Sequence, residues 1–320
     1  MRINSGWIMA AYLLLATSFD KVMTADDPSA SIDLPRHAIV FAHHSDAARQ
    51  DYDIWQIAAD GTQMAAVVAL PGRQTQFTIS PDGKELIYVD PVNDKGDLWR
   101  RGFHGKNPVN LTSSDSNESS PQWSPDGGAL LFSSDRDSEK REIYLMQLES
   151  GEVQRLTNNT LYDSEGTWAP DANRIIFTRF FPADDAAKSN GHGAIFELDL
   201  HTRQERQLTD LGGYSGGLNF SPDGQRITFH RVADDTAEIW VMDKDGQNQQ
   251  QLTDTFIDEY SPAWSPDGNW IVFTAGTGHD GLGTFDLWLM RPDGSDRRLV
   301  SSAGNTQMSP QWRTGDELIR

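Results

Sequence analysis

Cysteine is missing from all 320 residues. That excludes a disulfide-stapled fold, a thiolate metal site and a cysteine nucleophile. It also excludes a bacterial lipoprotein, whose lipid is carried on a cysteine. Basic residues are scarce: 27 Lys and Arg stand against 47 Asp and Glu, for a formal net charge of −20. Nucleic acid and anionic membrane surfaces are therefore excluded as partners, because both are bound through Lys and Arg. Basic proteins and cations remain. Long apolar runs are lacking too. The one candidate, Ile8–Ala16 (IMAAYLLLA), is too short to span a bilayer. With Arg2 ahead of it and small residues behind, it reads as a secretory signal over residues 1–25, cut after Ser18 or Ala25. Residues 26–36 then form a short linker.

What is present is a repeat. Ser80-Pro-Asp-Gly83, Ser124-Pro-Asp-Gly127, Ser221-Pro-Asp-Gly224 and Ser265-Pro-Asp-Gly268 are one turn written four times. Ala169-Pro-Asp-Ala172 is a degraded fifth copy, and Arg313-Thr-Gly-Asp316 an eroded sixth. The residues before these turns are Ile79, Trp123, Trp168, Phe220, Trp264 and Trp312, spaced 44 to 52 apart. An apolar run follows each of the first five turns (LIYV, LLFS, IIFT, ITFH, IVFT), then a polar loop and a second apolar run. A further turn leads to a segment ending NLT, RLT, QLT, QLT or RLV. Each unit is four short strands joined by turns, and the run after the turn is apolar at consecutive positions, as a strand buried on both faces requires.

Four-strand units of this length are β-propeller blades. The spacing predicts an all-β, six-bladed β-propeller over residues 37–320, with four antiparallel strands per blade. Five blades own all their strands. The sixth is shared by the termini: residues 38–43, 54–58 and 64–70 supply its second to fourth strands, and Pro310-Gln311-Trp312 its first. In the recurring turn, Pro sits early, Asp bonds back to the backbone and Gly ends the turn, so its Ser and Asp read as structural rather than as a catalytic pair.

The segments Pro121–Phe132, Ile239–Thr253 and Pro262–Phe273, with their P-x-W-S-P-D-G and D-G-x-x-x-x-x-L-T patterns, resemble the repeat of TolB-type propellers. The resemblance covers residues 37–320. It implies a soluble periplasmic protein that docks a protein partner, which in that family is the peptidoglycan-associated lipoprotein Pal of the Tol–Pal envelope system. Family members carry an α/β domain ahead of the propeller, where this sequence offers only residues 26–36. Similar repeats occur in the propellers of prolyl-peptidase-type hydrolases and tricorn-like proteins. The resulting expectation is an exported, periplasmic, non-enzymatic interaction propeller, with secretion as the alternative location. A ligand- or cation-binding propeller, and a polysaccharide lyase or hydrolase using channel-mouth carboxylates, are the alternative functions.

Candidate site residues come from position. Counting five residues back from each turn-preceding residue gives Gln74, Glu118, Asp163, Ser215, Glu259 and Gln307. These start the innermost strands and are expected to ring one mouth of the central channel. Three carboxylates and three neutral polar groups there suit an oxygen-seeking cation such as Ca²⁺, or a basic or amide-rich partner segment, or water alone. The loops at 134–141, 180–193 and 232–238 reach the same face and are acidic. Gly213-Tyr-Ser-Gly-Gly217 fits the G-x-S-x-G pattern, but a β-strand follows it where a hydrolase needs a helix. Gly276-Thr-Gly-His-Asp-Gly281 is likewise followed by a strand, so no helix N-terminus faces a phosphate. His43, His44, His230 and His279 lie at or near strand ends and could share one face, which keeps a metal site open, but without ligand spacing they read as surface histidines.

Overall fold

The computed structural model describes residues 33–44, 52–69, 74–92, 95–105, 107–182, 192–210, 212–233, 236–277, 284–302 and 306–314. The expected signal segment lies outside them. Residues 35–320 form one compact unit. Its described strands make six four-stranded antiparallel sheets, each a blade. The innermost strands are Phe77–Ile79 (blade I), Glu118–Trp123 (II), Tyr162–Trp168 (III), Tyr214–Phe220 (IV), Asp258–Trp264 (V) and Gln307–Arg313 (VI). Each touches the innermost strand of the next blade, and VI returns to I.

Blade VI joins the two ends of the chain. Gln307–Arg313 pairs antiparallel with Ala38–His43, with Ile39 opposite Trp312 and His43 opposite Gln307. Ala38–His43 pairs in turn with Asp53–Ala58, and that strand with Ala65–Val68. The junction with blade I is bonded as well: Gln311 Nε2 donates to Phe77 O (2.7 Å), Arg313 Nε to Gly83 O (3.0 Å) and Thr314 Oγ1 to Pro81 O (2.6 Å). Such closure leaves no open sheet edge along the ring.

The apolar second strands behave as their composition requires. All six residues of Ala129–Ser134 are buried, because a sheet lies against each face. The core is correspondingly distributed between blades. Ile87 and Leu98 of blade I pack with Trp123, Leu130 and Phe132 of blade II. Ile239 and Leu252 of IV pack with Trp264, Ile271 and Phe273 of V. Each such side chain contributes about 1.5–3 kcal/mol by leaving water, so the blade contacts carry the stability of the ring.

The recurring turns consume their own polar groups. Ser80, Ser124, Ser221 and Ser265 donate from Oγ to Oδ1 of the Asp two residues on, at 2.5–2.7 Å. Each Ser Oγ also accepts the backbone N–H five residues on, at 2.8–2.9 Å. The closing glycines take φ between 66° and 76°, a left-handed conformation that costs glycine little. The degraded copy puts Ala172 there at φ 57°.

Candidate functional site

The six positions found by counting occupy equivalent places in six blades, and they are buried. Gln74, Asp163 and Gln307 are 0 % exposed, Ser215 is 1 %, and Glu118 and Glu259 are 2 %. None lines the central cavity. Their side chains turn into the contacts between blades and are bonded there. Glu118 accepts from Ser114, Ser116 and Ser134 hydroxyls and from Arg136 Nη2 at 3.0 Å. Asp163 takes a two-pronged bond from Arg179, at 2.8 Å on each oxygen, plus Asn159 Nδ2 at 2.8 Å. Gln307 accepts Leu287 N and donates to Ser301. Ser215 Oγ meets Arg231 Nε at 3.5 Å.

A repeated clamp explains this placement. The Thr that ends each "LT" segment accepts the N–H of a third-strand residue of its own blade. The pairs are Thr112 with Leu98, Thr157 with Ile143, Thr209 with Ile195 and Thr253 with Ile239, all at 2.8–2.9 Å. In three of those blades the Thr hydroxyl also donates to the acid preceding that residue: Asp97, Glu142 or Glu238. The next blade's counted residue sits beside this pair. Asn159 bridges Glu142 and Asp163, and Ser114 bonds both Asp97 and Glu118. At the IV–V junction Thr255 bridges in the same way, its N–H donating to Glu238 and its hydroxyl to Glu259. Burial, then the Glu238 carboxyl, raises Glu259 to about 8. Its Oε2 has no donor, and the neighbouring Glu238 carboxyl favours its protonated form.

The channel wall proper begins two residues further along. Ser120, Glu165, Gly217, Ser261 and Ser309 hold φ between 51° and 63° in five successive innermost strands. Each marks a β-bulge, with the pairing register slipping around it. Four of the five are not glycine, so each costs on the order of 1 kcal/mol of backbone strain. A cavity of about 600 Å³ runs along these bulges to the SPDG turns and touches all six innermost strands. Prolines 121, 262 and 310 and the side chains of Gln122, Asn219 and Gln311 form part of its wall.

Gln76 and Glu165, equivalent positions in blades I and III, reach across to the next blade. Gln76 Oε1 accepts Ser120 N (2.7 Å), and Glu165 Oε2 accepts Gly217 N (2.7 Å). Glu165 Oε1 also accepts the Tyr214 hydroxyl at 2.8 Å. His230 lines the cavity beside them, 7 % exposed, with its ring 5.9 Å from Tyr214 and 5.0 Å from Tyr260. Burial lowers the His230 pKa, against the opposing pull of Glu165. Burial and Glu165 together raise Tyr214 well above the ordinary phenol range.

The structure corrects the reading of the histidines: His43, His44 and His230 are buried, not superficial. His43 and His44 sit against the Trp55 and Tyr52 rings of blade VI, and His230 against Tyr260 of the next blade. His279 lies outside the described residues, as does most of the 180–193 loop. Of that loop's aromatics, Phe181 packs on Phe196 within its own blade. Asp135, in the 134–141 loop, turns inward to accept Asn117 N and Nδ2 at 2.8 and 2.9 Å.

These features define the chain as a six-bladed β-propeller closed by its own termini, with a polar channel walled by five strained bulges. A family model for the TolB β-propeller domain matches residues 34–180 and 187–320, and the chain belongs to that family. Its fold is similar to the crystal structure of TolB from Acinetobacter baumannii. The TM-score is 0.72 at 23 % identity, over 98 % of this chain and 74 % of that one. In sequence it is 31 % identical over 206 residues to the uncharacterized peptidase YuxL of Bacillus subtilis (strain 168), covering 61 % of this chain but 28 % of that relative. It is 30 % identical over 123 residues to the Tol-Pal system protein TolB of Anaeromyxobacter dehalogenans (strain 2CP-C), covering 38 % of this chain and 26 % of that relative. Among the described residues, no helix is long and apolar enough to cross a membrane.

Proposed function

We propose that this chain is an exported, periplasmic TolB-like propeller that binds a protein partner at its central channel and performs no chemistry of its own. One observation carries the reading. The cavity is a single space shared by all six innermost strands, and its wall alternates prolines, hydroxyls and amides. Such a wall can clasp an extended segment, offering apolar contact and hydrogen bonds together. The relative named for the Tol-Pal system supports a partner in the cell envelope, with a Pal-like lipoprotein as the first candidate. The stretch at residues 1–25 supports export. In this reading the six buried positions hold the blades in register beneath the channel mouth, and the bulges meet the partner.

A photo-crosslinking residue at Ser309, inside the cavity, tests the proposal in cells. Expected is an adduct with one dominant envelope protein, identified by mass spectrometry. Labelling no stronger than at an outer-edge position such as Val109 would sink it. The peptidase-named relative supports a second reading, a hydrolytic function, but the match spans 28 % of that protein. Turnover of a peptide library by the purified chain, lost on Glu165→Gln, would favour that reading instead.

A further inference from the structure

We infer that Glu165 and His230 form a recognition site for a cationic N–H donor inside the channel, and that its occupant is a Lys or Arg side chain of the bound partner. The inference rests on the partner-docking reading above and names the chemistry by which the partner is held.

Glu165 and Gln76 stand at the same place in their blades, and each accepts the bulge N–H of the next blade at 2.7 Å. An amide is enough for that bond, as Gln76 demonstrates. The Gly217 bond therefore does not require the negative charge, and an amide can meet the Tyr214 hydroxyl by donating to it. The charge is also uncompensated: no Lys or Arg is among the residues lining the cavity, and no described ion pair involves Glu165. Its one titratable neighbour in the wall, His230, is held towards the neutral form by burial. A carboxylate in a narrow channel without a countercharge favours a cation more strongly than one on an open surface does.

Two glycines let Glu165 and His230 come together against the strand backbone. The Gly216-Gly217 pair sits against both groups. A β-carbon on Gly216 would lie 2.7 Å from Glu165 Oε2 and 3.0 Å from His230 Cε1, and one on Gly217 would lie 2.7 Å from His230 Nδ1. These are the last residues of the G-x-S-x-G match, so its glycines serve clearance rather than a nucleophile. His230 Nδ1 is buried and has no hydrogen-bond partner. A buried polar atom without a partner costs roughly 1–3 kcal/mol, and a donor bridging it to Glu165 removes that cost. The carboxylate is already aimed, because Tyr214 fixes Oε1 and Gly217 fixes Oε2. Each oxygen retains a lone pair for a further donor. The Tyr214 and Tyr260 rings flanking His230 add aromatic surface of the kind that attracts ammonium and guanidinium groups.

The test is a titration of the full purified chain with three probes. One is the peptide acetyl-Ala-Pro-Lys-Pro-Ala-amide, the second its norleucine counterpart, the third spermidine. The expected result is that the lysine peptide binds about tenfold or more tighter than the norleucine peptide, and that Glu165→Gln abolishes the difference. Equal binding of the two peptides, or a difference that survives Glu165→Gln, overturns the inference. Spermidine binding that depends on Glu165, with no binding of the lysine peptide, overturns the assigned occupant and points to a free amine. Binding by none of the three overturns the site.

Glu165→Gln keeps the hydrogen bond that Gln76 makes and requires only that the Tyr214 hydroxyl turn from donor to acceptor, so its melting temperature should stay close to that of the parent. Should it not fold, the ¹⁵N resonances of His230 in the unaltered protein report instead, moving with the lysine peptide and not with the norleucine one. The two proposals separate in cells. An adduct at Ser309 that persists unchanged in Glu165→Gln leaves partner docking standing and removes the cation site. Lysine-peptide binding without any cellular adduct does the reverse.

Discussion

Two rings of six residues, two positions apart in sequence, have opposite fates. The first ring, from Gln74 to Gln307, carries three carboxylates and is sealed between blades at no more than 2 % exposure. The second, at Gln76, Ser120, Glu165, Gly217, Ser261 and Ser309, carries one carboxylate and faces the cavity. In five of the six blades a β-bulge separates them. By adding a residue at positive φ it swings the chain so that the first ring enters the blade contacts and the second enters the channel. Carboxylate count alone therefore identifies the wrong ring as the exposed one. A buried carboxylate persists only where donors meet it, and here those donors come from the second strand (Arg179), the loop after it (Arg136) and the residues that follow the LT segments (Ser114, Asn159, Thr255).

Opening the ring is expected to have the largest effect. Deleting residues 305–320 removes the innermost strand of blade VI and with it Gln307 and Ser309 from both rings at once. The expected outcome is loss of the single cooperative transition in thermal denaturation, since Ala38–His43 then exposes an unpaired edge. A truncated chain that still melts cooperatively near the parent temperature would refute the shared blade.

Cutting into the first ring alone comes next. Asp163→Ala leaves Arg179 buried beside Glu205 without its two-pronged partner. Removing one member of a buried pair typically costs about 3–5 kcal/mol, read as a shifted midpoint in urea at unchanged slope. A cost below about 1 kcal/mol, the range of surface pairs, would mean the first ring is not structural. Asp126→Ala should cost about 1 kcal/mol, because Asp126 holds only Ser124 Oγ and Gly128 N within its own turn. Loss of lysine-peptide binding at unchanged stability would show that the turn does more than turn.

Much of this was legible beforehand, and the limits have physical causes. The blade number, the strand phase and the split blade follow from period and turn chemistry, which are local. The equivalence of Gln74, Glu118, Asp163, Ser215, Glu259 and Gln307 is also local, and counting finds it. Their burial is not, because each is sealed by groups contributed from other strands. The second ring was hidden because four of its left-handed positions carry Ser or Glu, and only Gly217 announces itself. Glu165 and His230 meet across blades III and IV, 65 positions apart in sequence, and no motif spans that interval. The usable signal was the pair Gly216-Gly217 inside an apparent hydrolase motif, two glycines in a strand where none is needed for a turn.

The smallest effect expected is at the IV–V junction, and it tests whether one member of the first ring does more than hold blades together. Glu259 is raised from an ordinary 4.5 to about 8 by burial and by Glu238. The folded state then binds this proton more tightly than the unfolded chain does. Stability contributed here is full below about 4.5, declines as pH rises through neutrality, and levels off above 8. Glu259→Gln removes the titration while keeping an amide in place, so its melting temperature should fall less steeply across that window, the two curves diverging by a few degrees. Identical slopes would mean that Glu259 does not take up this proton. Calcium sharpens the case. If the pair is only a proton trap, Ca²⁺ at pH 8 leaves the melting temperature where it was. If the pair is a cation site, Ca²⁺ raises it in the parent and not in Glu259→Gln, and the first ring regains a binding role at this one junction.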